Sequence, residues 1–386
     1  MVIIWIVLLL MFVGVSSFYY FYMRKFSRKP WNVKRNEEYF PSVTILVPAY
    51  NEEKNIRFKL DNLTNLDYPK DKLQIIIVND GSTDGTLQEV HKFQEWKADV
   101  KIEVLDNSQR IGKTKALNMA LKHATGEILI VSDADCFLNP DILRKALPFL
   151  WDSRVGAITG LEILLNSDES WVTETEIFYN DIVHTTRIGE SKFHSTIFFQ
   201  GGFGAYKRLW LDKFDMEADD SGTALNIVQK GARTLLLPEA IYFTTFPEKW
   251  RGKSITKLRR ASQLIRIWFK CIKLFKKGKL VLPKRIFIPE AFLYLVNPLI
   301  FLFLIPVSIL TIIEYPIFLL LFLIFGTTVL LHRKLRILLA EAIQDHLVLL
   351  GALFSLTFSR NFSLWSTADA SRTCLTREML ETRGLI

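Results

Sequence analysis

The sequence predicts an α/β protein: a cytosolic domain built on a Rossmann-like, mostly parallel β-sheet, flanked by transmembrane helices. Three observations carry that prediction. Short apolar runs alternate with helical segments from residue 42 onward, polar clusters stand just after three of those runs, and long uncharged stretches occupy both ends of the chain. At 386 residues there is room for one full domain of about 200 residues and substantial additions.

The first element is a transmembrane helix over residues 1–23. Residues 2–23 carry no charge and are long enough to cross a hydrocarbon core of about 30 Å. A basic linker, 24–41, follows with Arg24, Lys25, Arg28 and Lys29 at its start. No basic segment precedes the apolar run and no small-residue cleavage site ends it, which argues against a cleaved signal peptide. The positive-inside rule then predicts an outside N-terminus and a cytosolic position for what comes next.

The cytosolic domain spans 42–245. SVTILV (42–47), QIIIV (74–78), KIEVL (101–105) and EILIV (127–131) are expected strands, and 52–65, 84–97 and 113–124 the helices between them. In such sheets ligands bind beyond the carboxyl ends of the strands. Those ends carry Pro48 to Glu52, Asn79 to Ser82 and Ser132 to Asp135, three polar clusters on one expected rim. Each cluster alone reads as a helix cap or turn; together they point to a site. Gly112-Lys113-Thr114 is not a P-loop, because Asn107 stands where the earlier glycine is required, and no G-x-G-x-x-G follows the first strand.

The stretch ILIVSDADCF (128–137) ends a buried strand on Asp133 and Asp135. Two carboxylates so close repel and are costly to desolvate, and a dication is the natural compensating partner. The three cysteines, Cys136, Cys271 and Cys374, share no metal-ligand spacing and suggest no disulfide framework.

Beyond the domain, residues 249–285 hold 14 Lys or Arg and no acid, which leaves the rest of a chain of net charge +9 acidic. Apolar Ile255, Leu258, Ile265 and Phe269 lie among those charges, so 246–285 is expected to form basic amphipathic helices on an anionic membrane surface; nucleic acid is the disfavoured partner. Two uncharged runs, 291–313 and 315–332, predict a transmembrane hairpin over 286–332. The final segment, 333–386, contains an apolar stretch broken by Glu341, Asp345 and His346 that is compatible with a third C-terminal span or an interfacial helix, followed by a cytosolic tail.

VPAYNEEKNI, VNDGSTDGT, RIGKTKALNMAL and VSDADCFLNPD, in that order, resemble the nucleotide-sugar-binding half of family 2 glycosyltransferases with the GT-A fold. The flanking membrane segments resemble those of the hyaluronan, chitin, cellulose and poly-N-acetylglucosamine synthases. The resemblance implies that Pro48, Tyr50, Glu52 and Asp80 contact base and ribose and that Lys113 approaches the nucleotide. Asp133 and Asp135 match the family's DxD pair, with Asp135 the direct ligand of Mg2+ or Mn2+. Asn79 replaces the first aspartate of many relatives.

EADDSGTALNIVQKG (217–231) resembles the family's TED or GDD segment, which makes Asp220 the implied catalytic base and Asp219 a donor-binding neighbour. The competing reading is that these acids only cap a helix. Gly201 and Gly202 allow close approach of backbone to a sugar. SQLIRIWF resembles the QxxRW signature of processive synthases: Gln263 and Arg266 keep its spacing for acceptor and diphosphate, but Ile267 displaces Trp268 by about 200° around a regular helix.

The function so implied is membrane-bound, metal-dependent, inverting transfer of a sugar from a UDP-sugar to a growing glycan. A polyprenyl phosphate or other membrane lipid is the alternative acceptor, and a non-catalytic scaffold a third reading, opposed by Asp135 and Asp220. Multi-pass residence in the cell membrane follows.

Overall fold

The computed structural model describes residues 1–97, 101–167, 169–357 and 376–386. These form two compact units. The first contains 27–166, 187–246 and the C-terminal 376–386; the second contains 1–26, 167–186 and 247–357.

The first unit is built on one sheet of β1 (Val43–Ala49), β2 (Leu73–Asp80), β3 (Lys101–Asn107), β4 (Ile128–Val131), β5 (Phe137–Leu138), β6 (Val155–Leu164), β7 (Gly204–Lys207) and β8 (Arg233–Thr244), in the order β3-β2-β1-β4-β7-β6-β8-β5. The pairs of β1 with β2 and β4, β2 with β3, and β6 with β8 are parallel, whereas β7 runs antiparallel to β4 and β6, and β5 to β8. The sheet is therefore mostly parallel, with an antiparallel seam. Its central strands are Val/Ile runs because both faces are covered. Ile45, Ile75, Ile77 and Ile130 pack on one side, and Leu46, Ile76, Val78 and Leu129 on the other. β3 lies at the edge and carries Lys101 and Glu103, as edge strands do to discourage further pairing.

The helices, in chain order, begin with α1 (Val2–Ser27) in the second unit. The first unit then holds α2 (Ile56–Thr64), α3 (Thr86–Trp96), α4 (Lys113–Ala120) and α5 (Ile142–Ala146). After α6 (Trp171–Phe193) comes α7 (Asp219–Gln229), also of the first unit. The second unit continues with α8 (Trp250–Lys276), α9 (Lys284–Ala291), α10 (Asn297–Glu314), α11 (Ile317–Leu331) and α12 (Arg333–Thr357). α13 (Arg377–Glu381) returns to the first, where Leu380 and Leu385 join Phe137 and Phe243 in an apolar cluster and the Leu385 carbonyl accepts from Asn62 Nδ2 at 2.8 Å.

In the second unit, Val2–Ser27, Lys284–Glu314 and Arg333–Leu356 are long and apolar enough to cross a membrane. α11, at 15 residues, is shorter, about 22 Å at 1.5 Å per residue. The Met1 ammonium pairs with Glu314 at 3.4 Å. Most of the basic segment is one 27-residue helix, α8, with its last two basic residues opening α9, and Ala261 and Ile265 on α8 pack against Val348 and Ala352 of α12.

Candidate active site

Strand register brings the polar clusters onto one rim: Ala49 lies beside Asn79 and Asn79 beside Asp106, while Leu46 is level with Val131, the last residue of β4. The β1 and β2 loops are tied together. Asn51, at φ 54°, donates its N–H to Ser82 Oγ at 3.0 Å and accepts from the Thr83 N–H at 2.8 Å. Pro48 and Tyr50 are half-buried, and the Arg110 guanidinium lies 3.9 Å from the Tyr50 ring centre. Glu52 is buried; its carboxylate accepts from Asn55 Nδ2 at 2.8 Å and its N–H donates to Thr86 Oγ1 at 2.8 Å.

Asp80 accepts from the Ile111 and Gly112 N–H groups at 2.8 and 2.9 Å, one per carboxylate oxygen. Gly112 sits at φ 92°, where glycine is favoured, so Asp80 fixes the turn that delivers Lys113. Asn79 Nδ2 donates to Asp106 Oδ1 at 2.7 Å; an aspartate at 79 would face that carboxylate with like charge, which explains the amide here.

Lys113 Nζ is the point of convergence. It lies 2.8 Å from Asp133 Oδ1, 3.3 Å from Asp219 Oδ2 and 3.6 Å from Asp220 Oδ2. Burial pulls its pKa down, but the three carboxylates override that and hold it well above the ordinary lysine value. Burial raises Asp133 despite the pull of Lys113. Burial, then repulsion from Asp219, pushes Asp220 up to about 7. Capping does not explain Asp219 and Asp220: they are the first two residues inside α7, the N-cap position is Ala218, and no side chain accepts a capping hydrogen bond there.

Gly201 closes the floor. Its carbonyl accepts from the Asp133 N–H at 2.9 Å, and a Cβ there would stand 2.2 Å from Asp133 Oδ2 and 2.6 Å from Lys113 Nζ. A Cβ on Gly202 would meet the Tyr242 ring at 2.0 Å.

Ligand atoms of Asp133, Asp135 and Cys136 lie within 4.8 Å of one another. Burial raises the Cys136 thiol well above its usual range, so it stays protonated, with Asp135 Oδ1 3.6 Å from its sulfur. The oxygens of Asp133 and Asp135 are the hard donors that Mg2+ and Mn2+ prefer. The acids at 133, 135, 219 and 220 outnumber the lysines at 113 and 59 that act on them, and a dication fits that surplus.

Comparison with known proteins agrees with this geometry. The family model described as glycosyl transferase family 2 matches residues 44–214. A solved mannosyltransferase, PcManGT from Pyrobaculum calidifontis in complex with GDP-Man and Mn2+, superposes with a TM-score of 0.80 at 30% identity, over 93% of this chain and 99% of that one. The chain belongs to glycosyl transferase family 2. Its sheet is the GT-A fold of that family. It is also similar to a probable glycosyltransferase, YdaM, of Bacillus subtilis (strain 168), 28% identical over 69% of this chain and 66% of that protein. An N-acetylglucosaminyltransferase of Bradyrhizobium diazoefficiens is 25% identical over 62% and 52%. The chain thus spans between about half and two thirds of the length of these curated relatives.

One residue of the transferase escapes sequence reasoning. Lys59 is fully buried on α2, and its Nζ donates to Ser132 Oγ at 2.6 Å and to the Cys136 carbonyl, on either side of the Asp133–Asp135 pair. Ser132 Oγ in turn donates to the Gly202 carbonyl at 2.7 Å. Desolvation lowers Lys59 to about 8. The available signal was its position: Ile56, Lys59, Leu60 and Leu63 occupy one helical face, so the lysine falls among core positions.

Gln263, Arg266 and Trp268 lie on α8 in the second unit. The helix is regular through the extra residue, so no distortion restores the motif. Gln263 and Arg266 are half-buried, whereas Trp268 is fully buried against Tyr294 and Phe287, at centroid distances of 6.1 and 6.4 Å. The expected acceptor-lining ring is therefore a core side chain, and Phe269 is the exposed aromatic beside it.

Proposed function

We propose that this family 2 transferase is a membrane-seated, divalent-metal-dependent, inverting enzyme that moves a sugar from a nucleoside-diphosphate sugar to an acceptor at the cytosolic surface of the cell membrane. The observation that carries the reading is the convergence of Asp133, Asp219 and Asp220 on Lys113, beside Asp135. Asp135 and Asp133 would hold Mg2+ or Mn2+, which when bound stabilises negative charge on the departing diphosphate. Lys113 adds a fixed positive charge to the same end of the donor. Tyr50, Pro48 and Glu52 form the nucleoside side of the rim, and Asp80 acts by pinning the Lys113 turn. Gly201 and Gly202 keep the sugar side open.

Asp220 serves as the base that takes the acceptor hydroxyl's proton. Its raised pKa suits that role, since a base is most effective when its pKa lies near working pH. Gln263 and Arg266 are the acceptor-side candidates that remain on α8.

GDP-mannose is the first donor to test, because the relative solved with it matches nearly the whole of both chains. The UDP-linked donor expected from the sequence is the second, supported by similarity to N-acetylglucosaminyltransferases. A glycan is the first acceptor class and a polyprenyl phosphate or other lipid the second. Purified full chain with Mn2+ and a panel of nucleotide sugars, scored by release of nucleoside diphosphate, tests the donor. No release from any donor, with and without metal, would sink the reading.

A further inference from the structure

A cavity of about 520 Å3 opens in the second unit, lined by Trp171 of α6, Val329 of α11, and Arg333, Arg336, Leu339 and Ile343 of α12. Its composition is that of an amphiphile's binding site: two arginines together with the aliphatic side chains of Val329, Leu339 and Ile343. We propose that it holds an anionic phosphodiester lipid, with the phosphate between Arg333 and Arg336 and a hydrocarbon chain along Val329, Leu339 and Ile343.

Four observations support this. The two arginines are three residues apart on a helix, so they share a face, and guanidinium forks suit phosphate oxygens. Trp171 packs edge-on against Trp250 at 5.6 Å, and tryptophans of this kind gather at the headgroup level of a bilayer. The cavity lies where the apolar α11 gives way to the basic start of α12, the depth at which a phosphate meets hydrocarbon. Charge selects the ligand class. Arg333 is paired with Glu174 at 2.6 Å, whereas Arg336 has no ion-pair partner among the described residues. The set Arg333, Arg336 and Glu174 carries one net positive charge, which one phosphodiester balances and a doubly charged phosphomonoester exceeds. The positive-inside rule accounts for basic residues here but not for a cavity with an aliphatic wall.

The test uses the full chain in neutral detergent, titrated with phosphatidylglycerol or phosphatidylcholine and followed by native mass spectrometry. One phosphatidylglycerol per chain is expected, held at least about tenfold more tightly than phosphatidylcholine, as befits a charge-assisted contact. The double variant Arg333→Ala/Arg336→Ala should lose that preference while keeping its thermal midpoint. Arg336→Gln, which disturbs no ion pair among the described residues, should alone weaken retention about threefold and stands in should the double variant fail to fold. Equal retention of the two lipids, binding indifferent to both variants, or displacement of phosphatidylglycerol by a polyprenyl monophosphate at tenfold lower concentration would each overturn the proposal.

Discussion

At the residue scale the chemistry rests on how acids are kept together. The folded chain raises the Asp220 pKa from 3.8 to about 7, so ionising it opposes folding. That opposition is absent below the unfolded value and complete once pH has risen through the folded one. Asp220→Asn should therefore raise the thermal midpoint of the metal-free protein at pH 8, by about 2–4 °C for each kcal/mol relieved, with the gain shrinking toward pH 4. The same variant should lose about 10^2–10^4-fold in kcat and flatten the acid limb of the pH–rate profile. Scanning calorimetry and donor turnover check the two halves, and a variant both less stable and fully active would remove Asp220 from the base role. Gly201→Ala drives a methyl into the Asp133–Lys113 contact, so it should raise the metal concentration needed for half-maximal turnover by about tenfold or more, as misplacement of a supporting group does. The acids, Lys113 and the two glycines were legible because three strand ends carried polar clusters and the ordered motifs tied them to a family. Lys59 was not, because a lysine reads as surface until burial is known. The displacement of Trp268 by the extra Ile267 was legible from helix periodicity, but its burial against Tyr294 and Phe287 was not, because those partners lie on later elements.

At the scale of elements, β1 to β4 were readable because strands covered on both faces become continuous apolar runs. β5 to β8 were not: β5 and β7 are two and four residues long with partners far along the chain, and the longer β6 and β8 are broken up by Gly156, Gly160 and Pro238 and pair with register shifts. The start of α6 is joined to α8 and α12 by charges that sequence alone could not pair. Lys253 Nζ contacts Glu341 at 2.6 Å and Glu176 at 3.1 Å, while Lys257 contacts Glu341, Glu176 at 3.2 Å and Asp345 at 2.8 Å. Lys253, Glu176 and Glu341 are almost wholly buried, so the cluster couples the three helices. Removing one member strands a charge and costs about 3–5 kcal/mol, whereas removing an opposed pair costs much less. Glu341→Leu and Lys253→Met should each lower the midpoint in detergent substantially, and the double variant should recover most of the loss. A strictly additive double variant would show that the cluster contributes nothing as a unit.

At the scale of the whole molecule, the C-terminal segment decides how many times the chain crosses the bilayer. With Met1 outside, as the positive-inside rule predicts, Arg24 is expected on the cytosolic side and Glu314, paired with the Met1 ammonium, on the outer side. α11, though shorter, is then expected to return to the cytosolic side at the basic Arg333, Lys334 and Arg336. α12 starts there and is long enough to cross again, yet residues 376–386 pack into the catalytic unit, with Leu380 and Leu385 buried. A crossing by α12 would call for residues 376–386 on the outer face, away from the unit they pack into. Polar Glu341, Gln344 and Asp345, all bonded to α8, fit a helix lying along the interface beside its basic partner. The expected topology is therefore α1, α10 and α11 through the membrane, α12 within its cytosolic surface, and the C-terminus in the cytosol. Fusions to the C-terminus provide the measurement: a green fluorescent protein should be bright and an alkaline phosphatase inactive, while an N-terminal epitope tag should be reached by antibody in cells stripped of outer layers. An active phosphatase would mean that α12 spans the bilayer and that Leu380 and Leu385 leave the catalytic unit, which in turn predicts that truncation after residue 357 costs no stability. With α12 at the surface, that truncation exposes Phe137 and Phe243 and should lower the midpoint of the catalytic unit.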